Sequence, residues 1–598
     1  MTAPAPPARP PAALARPLTA QIRRRVDLRP ALIALLSLGL AAGPAPAQGL
    51  PAFAEPVPWP APLQGLADAH AGHVHGVSTG GTLALLAALS APLPGERPQL
   101  PSLGDGGAES IPIGTERRLG DRIMRDIWRD PAYLDDPVLN DYLRALWQPL
   151  FDSARRRGEV AGEAGERFAW RTFLVQDPSV NAFALPGGYV GIHLGLIAVT
   201  ASADELASVL AHEMSHVTQR HIARSVASNQ SRSILAVATL ILGVLAASRS
   251  ADAANALIAG GQAVAVQGQL NYSRDMEREA DRIGHGVLTG AGFDPAGMAS
   301  MFEKLLQAAR LNDSQNFPYL RTHPLSTERI GEARSRLGLD LSGRSTPPRS
   351  LLHALMQARA RVLMDPRALS LQRWQALDAT LSRETAAPLP ERLGQAYASA
   401  LASLRLRDWP RAERPLREAR ALAAGDAAAL RAVELLDIEL QTARGDAAAA
   451  AGRLEAALAT PRAPAGTGVD TQFAAAGGRV WLFAEVEQAL LPGAAPQSLR
   501  PLADRLQTWV AERPEDGPAW ALLGRVWERL GEGMRSLRAA AEARAAQADL
   551  QGAIDRLKAA QQRGVRGDFI EASVIDARLR ELQARRQLEL ADERNSAF

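Results

Sequence analysis

His212-Glu213-Met214-Ser215-His216 is the stretch on which the reading of this chain turns. Two histidines four residues apart on a helix differ by about 40° in direction, so both imidazoles leave one face. That spacing lets them grip one zinc ion, and the glutamate between them can reach a water beside it. The chemistry implied is hydrolysis of a peptide bond by a metal-activated water. The preceding residues 204–211 place Leu206, Val209 and Leu210 at helical spacing behind the acidic pair Asp204 and Glu205. This is the pattern of an amphipathic helix with an acidic first turn, so the motif sits inside the element its geometry requires.

A zinc hydrolase needs a third protein ligand and one open position. Downstream, Glu277-Arg278-Glu279-Ala280-Asp281 begins a second helical pattern, with Glu277 and Asp281 on one face at i,i+4. Glu277 can supply a carboxylate ligand, and Asp281 can hold the distal nitrogen of a ligating imidazole and so fix its tautomer. Glu279 and His285 compete for the third ligand position, His285 lying one turn further along the same face.

H-E-x-x-H followed by E-x-x-x-D resembles the gluzincin peptidases related to the CAAX prenyl protease and HtpX. Further segments narrow the resemblance: Asn181-Ala182-Phe183-Ala184-Leu185-Pro186-Gly187-Gly188-Tyr189-Val190 upstream, His216-Val217-Thr218-Gln219-Arg220-His221, Thr322-His323-Pro324-Leu325, and Glu328-Arg329-Ile330. With helical repeats after them, these are similar to the β-barrel assembly-enhancing proteases of the Gram-negative periplasm, specifically over about residues 100–340 and more loosely beyond. The resemblance implies one Zn2+ per chain on His212, His216 and Glu277, Glu213 as general base, and Asp281 behind a ligand. It also implies that His323 can take the fourth metal position as a plug, since a neutral imidazole competes with the water to be activated. Implied partners are unfolded or misassembled outer-membrane proteins and the barrel assembly machinery.

Residues 1–47 have the layout of a secretory signal peptide: Arg23, Arg24, Arg25 and Arg29, an apolar run over 31–42, and Ala45-Pro46-Ala47 as a small-residue cleavage site. Sec export with cleavage near Ala47 and a periplasmic location are expected. The chain has no cysteine, which excludes a disulfide framework. Its net charge is +3 over 598 residues, without a dense basic block interleaved with aromatics, so nucleic acid is a poor partner.

Residues 48–108 are rich in Pro, Gly and Ala and are expected to be a linker. The histidines at 70, 73 and 75 within them are read as incidental. A zinc metalloprotease domain is expected over 109–340, α+β and mainly helical with a small sheet. Helices are expected near 117–128 and 137–150, a strand at 171–175, and a hairpin around Pro186-Gly187-Gly188. Tyr189, Val190, Gly191 and Ile192 are expected on an edge strand, where an extended substrate could pair its backbone beside the metal. The apolar run 234–247 spans about 21 Å as a helix, short of a ~30 Å bilayer core, so a buried or semi-buried helix is expected, the alternative being an apolar surface that touches unfolded clients or, at most peripherally, the membrane.

Over 345–598 an all-α tetratricopeptide-like solenoid is expected. Trp520-Ala521-Leu522-Leu523-Gly524-Arg525-Val526-Trp527 fits the W-x-x-L-G-x-x-Y pattern, with tryptophan at its last position. Gly445-Asp446 marks an inter-helix turn, and 461–478 is read as a loop interrupting the array. The function expected is a periplasmic zinc endopeptidase that degrades misfolded or stalled outer-membrane β-barrel proteins. The alternative is a chaperone or assembly adaptor that binds them through its repeats with a latent metal site.

Overall fold

The computed structural model describes residues 111–228, 274–311, 318–337, 350–379, 386–459, 468–474, 478–494, 498–563 and 568–595. The described residues belong to one compact unit. Residues 1–47, read as a signal peptide, the Pro-rich stretch with its histidines and the apolar run 234–247 lie outside them.

α1 (Ile113–Arg129) leads through β1 (Tyr133–Leu134) to α2 (Pro137–Arg156). Asp136 caps α2 by accepting a hydrogen bond from the Leu139 amide at 2.9 Å, and Pro137 follows where a missing N–H costs nothing. After α3 (Gly162–Arg167) come β2 (Arg171–Val175), β3 (Ala182–Leu185) and β4 (Tyr189–His193). Gly187 and Gly188 turn the β3–β4 hairpin with φ of +74° and +88°, which L side chains avoid.

The sheet order is β1-β2-β4-β3. β4 pairs parallel with β2, Val190 opposite Thr172, and antiparallel with β3, Val190 opposite Ala184. The expectation for Tyr189, Val190, Gly191 and Ile192 is therefore wrong. They form an interior strand, buried along its whole length, whose backbone is already paired on both sides. Among the described residues β3 is the outer strand on that side of the sheet.

α4 (Leu194–Val199) precedes α5 (Ala203–Thr218), which carries the histidine motif, and α6 (His221–Ser228). α7 (Arg274–Gly290), α8 (Ala296–Leu311), α9 (Pro318–Thr322) and α10 (Thr327–Arg336) follow. α7 packs closely on α5. At Gly284 a Cβ would sit 3.1–3.2 Å from the backbone of Ala211 and His212, so only glycine permits this approach without a shift.

Beyond them the regular elements among the described residues are all helical: α11 (Leu351–Leu363), α12 (Ala368–Gln375), α13 (Leu389–Arg405), α14 (Trp409–Ala423), α15 (Ala427–Arg444), α16 (Ala447–Ala459), α17 (Val469–Ala474), α18 (Arg479–Ala489), α19 (Leu499–Glu512), α20 (Gly517–Arg529), α21 (Gly533–Ala546), α22 (Leu550–Arg563) and α23 (Phe569–Asn595). Gly445 ends α15 with φ +79° and Asp446 accepts from the Ala449 amide at 3.0 Å, as the inter-helix turn requires. Part of the stretch read as a loop is helical: Val469 and Phe473 of α17, one turn apart, are buried against the core.

One apolar core runs from α2, α4, α5, α7 and α8 through α11 and α13 to Trp481 of α18. Two adjacent aspartates tie the halves together. Asp136 accepts two hydrogen bonds from the buried Arg359 guanidinium, at 2.8 and 2.7 Å, and Asp135 pairs with Arg479 at 2.8 Å. Tyr142 of α2 meets Nδ1 of His353 of α11 at 2.7 Å, deep in the interior.

Candidate metal centre

Ser202 caps α5 by accepting from the Glu205 amide at 3.2 Å, which sets the helix phase. That phase turns His212, Glu213 and His216 inward, and all three are buried. The histidine Nε2 atoms lie 3.0 Å apart. From α7, Glu277 brings Oε2 within 3.5 Å of His212 Nε2 and Oε1 within 3.4 Å of His216 Nε2. Asp281, one turn on, lies 2.9 Å from His212 Nδ1. His323, just after α9, completes the cluster, with Nδ1 3.0 Å from Glu277 Oε1 and 3.4 Å from His212 Nε2. Tyr319 stacks on its ring at 4.6 Å between centroids. One ligand atom each from His212, His216, Glu277 and His323 fall within 4.8 Å of one another, all from buried side chains.

Two imidazoles and a carboxylate, with a third imidazole beside them, are a donor set that would suit a divalent cation such as zinc. Glu213 supplies the second test of fit. Its carboxylate is fully buried and, among the described residues, neither oxygen has a hydrogen-bond partner, although His323 Nε2 lies 3.5 Å away. Such a group is costly in a purely structural core. Beside a cation and its water it is well placed.

Arg329 is the group sequence reasoning left without a role. It donates to both oxygens of Asp281 at 2.6 and 2.8 Å, lies 2.7 Å from Glu277 Oε2, and donates to the Pro324 carbonyl at 2.9 Å. Its signal was present: a cap at Ser326 fixes the phase of α10 and sends Arg329 inward beside Ile330. Of the competing ligands, Glu279 leaves α7 on another face and meets His221 instead, at 3.0 Å. His285 stands outside the donor set.

Burial works against charge on all these groups, and their neighbours decide the outcome. Desolvation is outweighed at His212, whose bonds to Asp281 and Glu277 raise its pKa to about 10. At His216 burial prevails, aided by the charges of His212 and His323, and holds the pKa well below the usual value. Against the same burial, Arg329 and His212 lower Asp281 to about 2, while His323 and the two motif histidines hold Glu277 well below the usual carboxylate range.

The fold and this cluster define a metallopeptidase domain. Residues 147–337 match the model of peptidase family M48, and the chain carries a domain of that family. The chain is 35% identical over 315 residues to the putative beta-barrel assembly-enhancing protease of Vibrio cholerae serotype O1, covering 53% of this chain and 62% of that protein. It is 35% identical over 237 residues to the beta-barrel assembly-enhancing protease of Escherichia coli strain K12, covering 40% of this chain and 47% of that one. A mitochondrial metalloendopeptidase of Arabidopsis thaliana is more distant, at 30% over 237 residues, 40% and 43% of the two chains. The match thus spans about half the length of these relatives. Among the described residues no helix is long and apolar enough to cross a membrane.

Proposed function

We propose that the protein is a periplasmic zinc endopeptidase acting on unfolded or misassembled outer-membrane β-barrel proteins, with its helical C-terminal region as a tetratricopeptide-like docking surface. The observation that carries the catalytic part is the buried Glu213 carboxylate, without a hydrogen-bond partner among the described residues, beside the four-residue donor set. His212, His216 and Glu277 would hold the ion. Zinc, when bound, supplies Lewis acidity that polarises the scissile carbonyl and lowers the pKa of the attacking water. Glu213 takes the proton from that water and returns it to the leaving amine. Asp281 keeps the His212 Nε2 lone pair directed inward by holding Nδ1, and Arg329 holds Asp281. The likeness to beta-barrel assembly-enhancing proteases and the signal-peptide-like layout expected for residues 1–47 support that substrate class.

A second reading has its own observation. His323 stands within the donor set, 3.0 Å from Glu277, where it would fill the position a substrate carbonyl or water must use. A chaperone or assembly adaptor with a latent site would be built this way, and the plug lets one molecule serve both roles. Glu213→Gln separates them: it should retain zinc and lose about 10²–10⁴-fold in cleavage rate. If that variant still restores outer-membrane assembly in cells lacking the parent, the adaptor role dominates. If it cleaves as fast as the parent, Glu213 is not the base.

A further inference from the structure

His221 lies outside the donor set yet is tied to it by an unusual turn. α5 ends at Thr218, and Arg220 then adopts φ +50°, a conformation uncommon for a residue with a side chain. Arg220 is pinned there by Glu116 at 2.9 Å and by donation to the Ile111 carbonyl. The turn brings His221, the first residue of α6, back against His216, with the two Nδ1 atoms 2.8 Å apart. The other ring nitrogen of His221 meets Glu279 Oε2 at 3.0 Å, and Glu279 also accepts from Arg224 at 2.9 Å. Glu279 follows Glu277 by two residues, about 200° around the helix, so one faces the donor set while the other faces α6.

Proton positions follow from this chain of contacts. A carboxylate only accepts, so the His221 nitrogen facing Glu279 carries the hydrogen. A neutral His221 then has Nδ1 as an acceptor, and the hydrogen between the two rings belongs to His216 Nδ1. That leaves the lone pair of His216 on Nε2, the atom facing His212 and Glu277. We propose that the Glu279–His221 pair is a positioning relay that selects the metal-binding tautomer of His216, the counterpart of Asp281 behind His212. The two ligand imidazoles are thus held by separate arms, one ending on Arg329 in the interior and the other on the half-exposed Arg224. This rests on the reading of His212, His216 and Glu277 as zinc ligands.

The test is zinc affinity of the full-length protein by competition with a chromogenic chelator, with the absorption spectrum of the Co2+-loaded form as a second readout. His221→Phe fills the space without an acceptor and should weaken zinc binding 10–100-fold and shift the Co2+ bands. His221→Asn, which keeps an acceptor towards His216 Nδ1, should return to within about threefold of the parent. Phe binding as tightly as the parent overturns the relay, and so does Asn binding as weakly as Phe, since the role would then be packing. If His221→Phe does not fold, Glu279→Ala at the partly exposed end carries the test: a several-fold loss is expected, and unchanged affinity overturns the relay. A parent that binds no zinc overturns the ligand assignment itself, an outcome distinct from equal binding by all forms.

Discussion

Around the candidate metal centre, His212 from α5, Glu277 and Asp281 from α7, His323 just after α9 and Arg329 from α10 converge, and the apolar core beneath them is continuous from α2 to α18. From α19 to α23 each helix packs chiefly on its neighbour in sequence, and the apolar contacts divide into two successive clusters, residues 482–543 and residues 541–582. A core shared by distant segments transmits a local defect to the whole, whereas a serial stack confines it to a helix pair. The two regions should therefore respond differently to damage of the same chemical kind.

Arg329→Ala should have the largest effect. It strands the buried charges of Asp281 and Glu277 and removes the cation over the Phe302 ring, 5.0 Å from its centroid. Breaking a buried pair on one side costs about 3–5 kcal/mol, measurable by denaturant unfolding as a loss across the whole metallopeptidase half. Arg479→Ala removes the partner of Asp135 and Asp516 where the shared core meets the stack. A cost of about 2–4 kcal/mol is expected, since Asp135 is partly exposed. Hydrogen exchange should rise in α18 to α21 while α5 and α7 keep their protection. Equal loosening of α5 would break the contrast.

Acid should act on the sheet-bearing half. Burial raises the pKa of Asp177, but His193 and the side chain and backbone of Ser179 outweigh it and lower it to about 2. A depressed carboxylate stabilises the fold fully above its unfolded value near 4, and this contribution disappears as pH falls through 2. Discounted for solvent screening, the difference is about 1 kcal/mol. Asp177→Asn should remove that part of the pH dependence from the unfolding free energy. The smallest effect is expected at Gly524, where a Cβ would lie 3.3 Å from the Ser536 carbonyl oxygen. Gly524→Ala should cost about 1 kcal/mol and loosen only the α20–α21 pair.

The motif helix, Glu277 with Asp281, and the turn at Gly187-Gly188 were legible because their geometry is local: i,i+4 spacing and positive φ are written in adjacent residues. The cap at Ser326 was legible for the same reason. The order of the strands was not. The hairpin around residues 182–193 reads identically whether β4 is an edge or is flanked by β2, and only the parallel pairing decides it. His221 was hidden because its approach to His216 depends on the backbone at Arg220 rather than on helical spacing. The joint at Asp135 and Asp136 was hidden because its partners lie more than two hundred residues away.

Self-plugging by His323 is tested by cleavage of an unfolded outer-membrane barrel protein by the full-length protein and its His323→Ala variant, with and without a metal chelator. Cleavage that the chelator abolishes, and that is faster in the variant, is expected. Stable binding of the barrel protein with no cleavage by either form would contradict it.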